Sequence, residues 1–163
     1  MIILGIDPGT ATTGYGVIDF QSGKYKVIDC GCIFTSQKTK HSKRLSEIYD
    51  SLDEIIKQEK PDAVAVEELF FINNVKTAMK VGEARGVCLL VAEQNGVPLF
   101  EYTPLEVKQS LTGYGKADKK QIQTMVKMLL KLKAIPKPDD MADALAIAMT
   151  HAQHCKSYKV IKL

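Results

Sequence analysis

The hydrophobic pattern of this chain changes period near Ser42, and that change limits the folds open to it. Before it, Ile2 to Ile6, Gly14 to Asp19 and Tyr25 to Thr35 read as three strands. The joining segments, Pro8 to Thr13 and Gln21-Ser22-Gly23, are too short for a crossover, so these strands form an antiparallel meander. After it, Leu45, Ile48, Tyr49, Leu52, Ile55 and Ile56 recur at three and four residues, which predicts an amphipathic helix ending near Lys60-Pro61. Ala63 to Val66 is a buried strand that stops at Glu67-Glu68. A second long helix is expected from about Val75 to Gln94, and a fifth strand over Pro98 to Tyr102. Pro104 opens a short helix, Asp118 caps another running to about Lys133, and a last helix covers roughly Asp140 to His154. Cys155 to Leu163 reads equally as a short strand or a frayed tail.

A meander leading into strand-helix-strand crossovers makes an α/β domain over residues 1–163, a five-stranded mixed sheet with helices on both faces. The chain is 45% apolar and 25% charged, which suits one ordinary globular core. No stretch approaches the roughly 18 apolar residues of a membrane span, so a cytoplasmic protein is expected. Cys30, Cys32, Cys88 and Cys155 lack the paired spacing of a zinc site and read as reduced packing residues. The net charge of +3 is uneven, because Glu101 to Lys137 holds eight lysines against three acids.

Acids end the elements that matter most. Asp7 closes the first strand and is followed at once by Pro8-Gly9, and Glu67 closes the fourth. In the expected topology these strand ends lie side by side, about 4.8 Å apart, close enough to share a cation. Asp140 and Asp143 share one face at the start of the last helix. A capping role explains one of them, but Asp143 stands inside a run of small apolar residues where a solvated charge is not expected. Converging carboxylates repel by on the order of 4 kcal/mol per close pair at an effective dielectric near 20, and a metal ion removes that cost. Oxygen ligands alone suit Mg²⁺ or Mn²⁺ rather than zinc. Register by itself leaves Glu68 and Asp139 open as ligands.

Ile6-Asp7-Pro8-Gly9 with Thr13-Gly14-Tyr15-Gly16, Val66-Glu67-Glu68 followed by Phe70, Gly82-Glu83-Ala84-Arg85-Gly86, and Asp140-Met141-Ala142-Asp143-Ala144 together resemble the RuvC family of Holliday-junction resolvases, from about Ile3 to His151. The resemblance implies a ribonuclease-H-like fold and a bacterial homodimeric endonuclease that nicks two opposed strands of a four-way DNA junction in recombination and repair. It places the metal-binding, catalytic acids at Asp7, Glu67, Asp140 and Asp143, with two Mg²⁺ ions per site and 5′-phosphate products. It further implies that Phe70 stacks on bases near the junction point, that Lys108 and Lys119 hold phosphate near the active site, and that the enzyme works beside a RuvA-RuvB branch-migration complex. Lys116 and Lys120 are expected as backbone contacts.

Ala78, Gly82 and Gly86 form a strip of small residues on the second long helix, suited either to tight packing on the sheet or to a subunit contact. His151 and His154 read as ordinary surface histidines. Two other readings stand beside the resolvase. Asp7-Pro8-Gly9-Thr10 also resembles the phosphate loop of the actin, Hsp70 and sugar-kinase superfamily, although the length supplies only one of the two lobes that clamp nucleotide there. A RuvX-like nuclease domain is the second, opposed by the full set of four acids.

Overall fold

The computed structural model of the protein describes residues 1–68 and 75–160, with side chains described for 1–68 and 77–155. Five strands, β1 (Ile2–Asp7), β2 (Thr12–Gln21), β3 (Lys24–Phe34), β4 (Ala63–Glu67) and β5 (Leu99–Tyr102), form one sheet in the order β3-β2-β1-β4-β5. The β1-β2 and β2-β3 pairs are antiparallel, while β1-β4 and β4-β5 are parallel. The mixed sheet expected from the connection lengths is therefore present. Helices α1 (His41–Glu59), α2 (Val75–Gln94), α3 (Pro104–Thr112), α4 (Lys119–Leu129) and α5 (Asp139–Val160) complete the fold.

Strand alternation divides the core in two. Leu4, Ile6, Val17, Val64 and Val66 face α1 and α2, meeting Ile48, Leu52, Ala84, Cys88 and Val91. Ile3, Ile18 and Ala65 face the other way, against α3, α4 and above all α5. Continuous apolar runs in β1 and β4 follow from this double coverage.

Glycines let α5 lie directly on the sheet. A methyl group built on Gly5 would lie 2.1 Å from the Ala144 carbonyl oxygen, and one on Gly14 would lie 2.1 Å from that of Asp140. Gly5 pairs with Gly16 and Gly14 with Asp7 across β1 and β2, so the bare strip is continuous and ends beside the acid. Small residues on the helix match it, since Ala142, Ala144 and Ala148 are fully buried.

Three expectations fail in detail. Residues 155–160 continue α5 as helix rather than forming a strand or a frayed tail, because that stretch contains no glycine or proline to stop it. Helix α4 stops at Leu129 rather than near Lys133: Lys131 takes a left-handed conformation and the Leu132 amide donates back to the Lys127 carbonyl at 2.9 Å. His151 is no surface histidine. It is 2% exposed and lies 2.7 Å through Nδ1 from the Tyr102 hydroxyl; burial holds its pKa down to about 4. His154 is partly exposed and lies 3.4 Å from the Ser110 hydroxyl. The four cysteines are free.

Candidate active site

Three elements deliver the acids. Ile6 pairs with Val66 in the parallel β1-β4 ladder, and one residue further on both strands reach Asp7 and Glu67. Ile6 and Val66 face α1 and α2, so Asp7 and Glu67 face α5. The glycine strip sets the first turns of α5 against β2, and Asp140 and Asp143 arrive on those turns. Gly9 makes the sharp exit after Asp7 possible, since a methyl group there would lie 2.3 Å from the Thr12 carbonyl oxygen.

Electrostatics shows how closely the four are coupled. Burial pushes the Asp7 carboxyl up to about 8, and the charges of Asp143, Glu67 and Asp140 add to the rise. Glu67 is raised to about 7 by burial and by Asp143. Asp143 is raised too, by burial, against the opposing hydrogen bond from Lys119. Lys119 Nζ lies 2.9 Å from Asp143 and 3.6 Å from Asp139, so an ammonium stands among the acids. Among the described residues no three His, Cys, Asp or Glu side chains are gathered closely enough to grip an ion as they stand. Glu67 and Asp143 line one cavity and Asp140 an adjoining groove, and all three act electrostatically on Asp7.

Of the two acids that register left open, Asp139 pairs with Lys137 at 2.8 Å as well as with Lys119, and the Lys137 hydrogen bond lowers its pKa. The Glu68 amide donates to the Tyr102 carbonyl at 2.8 Å and extends the β4-β5 pairing beyond Glu67. Lys108 and Lys119 line a cavity of about 210 Å³ together with Glu67 and Asp143. Lys120 lies apart, in a depression of about 450 Å³ beside Tyr114 and Gln121, and Lys116 is exposed. Phe70 and its neighbour Phe71 lie outside the described residues.

Two arginines supporting the site escape a search for acids. Arg85 Nε donates to the Glu67 carbonyl at 3.2 Å while its guanidinium pairs with Glu101, fixing the end of β4. Arg44 is buried on α1 four residues before Ile48, in line with Leu52 and Ile56. Its position in the apolar phase of that helix was a readable signal that this cation is inside.

The profile of the family described as Crossover junction endodeoxyribonuclease RuvC matches residues 3–151. A crossover junction endodeoxyribonuclease RuvC of Caldicellulosiruptor saccharolyticus is 60% identical over 93% of this chain and 92% of its own. That of Desulforamulus reducens is 56% identical over 97% of each. The structure of Thermus thermophilus RuvC in complex with Holliday junction substrate superposes with a TM-score of 0.89 at 37% identity, covering 96% of both chains. A yeast mitochondrial Holliday junction resolvase, 14% identical with a TM-score of 0.68, shares the fold. The sheet with its flanking helices is thus a ribonuclease-H-like fold, and the chain belongs to the crossover junction endodeoxyribonuclease RuvC family.

Proposed function

We propose that this protein resolves four-way DNA junctions by paired, symmetric hydrolytic nicks that leave 5′-phosphate ends, with Mg²⁺ as its natural cofactor and Mn²⁺ able to replace it. The observation that supports this reading is that strand register and the seating of α5 on glycine bring Glu67, Asp140 and Asp143 near enough for their charges to raise the pKa of Asp7. Nucleases of this family are metal-dependent. The donor set suits a hard divalent cation: every ligand is a carboxylate, and two of them are held near neutrality or above by burial and mutual repulsion, which a cation relieves. Asp7, Glu67, Asp140 and Asp143 would hold two ions. Bound there, the cations supply a more acidic attacking water and charge to offset the leaving oxygen.

The chain's own groups do the rest. Water adds to phosphorus and the bond to the 3′ oxygen breaks, so the phosphate stays on the 5′ side. Lys119, once freed from Asp143, and Lys108 across the same cavity present ammonium protons to the phosphate oxygens as charge grows on them. Phe70, by the family resemblance, stacks on a base at the junction point. The subunit contact falls on α2: the helix meets the sheet through Ala84, Cys88 and Val91, whereas a methyl group on Gly86 would touch nothing within 4 Å, with Met79 and Leu90 exposed nearby. Tight packing on the sheet is therefore not the role of Gly86. A two-fold dimer supplies the two sites that symmetric nicks require. Operation as a single domain in the bacterial cytoplasm, beside a RuvA-RuvB motor, completes the reading.

The test is a synthetic four-way junction with and without Mg²⁺, beside a duplex control. Symmetric, Mg²⁺-dependent nicks are expected in the wild type. Asp7→Asn should retain junction binding and lose cleavage by a factor of about 10³ or more. Normal nicking by that variant would remove Asp7 from the site.

A further inference from the structure

A groove of about 540 Å³ adjoins the acids, lined by the Gly9–Thr12 loop, Gln37, Arg44, Lys80 and Asp140. Arg44 is only 7% exposed. Its Nε donates to the Thr35 hydroxyl at 2.7 Å and its NH2 group to the Thr10 carbonyl at 2.9 Å. Both acceptors are neutral, and among the described residues no carboxylate forms an ion pair with this guanidinium. A cation kept out of water without an anion is expensive unless the anion comes from elsewhere.

The loop beside it is also short of acceptors. The Gly9 carbonyl accepts from the Thr13 hydroxyl, that of Thr10 from Thr35 and Arg44, and that of Ala11 from the Thr35 amide. The amides of Gly9, Thr10 and Ala11 have no acceptor among the described residues. Lys80 adds a second cation, exposed on α2, and its carbonyl accepts from the Thr10 hydroxyl at 2.8 Å, which ties α2 to the loop. Apart from Asp140, which belongs to the acid cluster, the charged groups here are cations and the free backbone groups are donors. That inventory suits a phosphate.

We infer that this groove is a second phosphate subsite, which holds a backbone phosphate of the DNA strand flanking the linkage to be cut, with Arg44 as its anchor and Lys80 and Gln37 at its rim. The inference rests on the junction-cleaving reading. It favours a phosphodiester over a free anion because Asp140 is common to the groove and the acid cluster, and a strand whose scissile phosphate lies at those acids carries further phosphates on either side.

The experiment uses the full-length protein without divalent ions, bound to four-way junctions that each carry one neutral methylphosphonate at a successive linkage around the cleavage position. Wild-type protein should lose affinity by about tenfold at one flanking linkage. Arg44→Gln should bind all the junctions more weakly and show no further loss at that linkage. Lys80→Gln, at an exposed position that leaves the core untouched, should lessen the loss there or at the adjacent linkage and lower the salt slope of binding by about 0.9. If Arg44→Gln does not fold, the Lys80→Gln profile decides. Methylphosphonate profiles identical to wild type in the folded variants overturn the inference, as does protection by inorganic phosphate that depends on Arg44 without any linkage-specific loss. Failure of the wild type to bind the unmodified junction overturns instead the reading on which the inference rests.

Discussion

Asp7 carries the largest electrostatic load described for this protein. Its carboxyl, ordinarily ionised from about pH 4, stays protonated in the metal-free fold up to about 8, with Glu67 following at about 7. The sign follows from linkage. A carboxyl whose folded pKa is raised contributes stability that is complete below its unfolded pKa and is lost as pH rises through the folded value. Metal-free protein should therefore lose thermal stability progressively from about pH 4 to about pH 8, and Asp7→Asn should flatten that loss. A divalent cation requires the ionised forms, so its stabilising shift should be greater at pH 9 than at pH 6. Differential scanning fluorimetry across pH, with and without Mg²⁺, measures both effects; parallel curves for wild type and Asp7→Asn would contradict the assigned cause. Legibility at this scale was uneven. Asp7 and Glu67 showed themselves by ending apolar strands, whereas nothing local separated Asp140 from Asp139. Asp139 pairs with Lys137 and with the same Lys119 that bonds Asp143, and the family resemblance rather than register selects Asp140.

At the scale of elements, the docking of α5 on the sheet sets the distance between the strand acids and the helix acids. Gly14 is, with Gly5, one of the two tightest points, since its missing side chain is replaced by the Asp140 backbone. Gly14→Ala should cost about 3 kcal/mol by urea denaturation, because backbone rather than a flexible side chain occupies the space. Nicking should fall further than the unfolded fraction explains, because α5 must move and Asp140 with it. An activity that tracks stability alone would show that α5 placement is not critical. The helices themselves were legible from period and capping. Their ends were less so: α4 stops early through a left-handed Lys131 that no composition rule marks, and α5 runs on through residues 155–160 because nothing stops it.

For the whole molecule, α2 connects the proposed subunit contact to the site. One face packs on the sheet, Arg85 holds the Glu67 carbonyl, and Gly86 lies open on the outside. Gly86→Arg should shift sedimentation velocity from dimer to monomer and convert paired nicks into isolated ones, with the fold retained in circular dichroism. A dimer that persists unchanged would move the contact elsewhere. The likeness of Asp7-Pro8-Gly9-Thr10 to a nucleotide loop is replaced at this scale as well, because the family match spans residues 3–151.

By itself, the sequence determined the strand and helix order and the mixed sheet, because hydrophobic period and short connections act locally, and it placed acids at the ends of β1 and β4 and the start of α5. Tertiary structure decided what depends on contact between distant segments. Glycines at positions 5, 14 and 16 prove to be the seat of α5, His151 goes inside against Tyr102, and Lys119 reaches Asp143. It also buried Arg44 beside the acids with only neutral oxygens for partners. Close approach, burial and charge pairing arise between residues far apart in the chain, and only the folded arrangement brings them within reach.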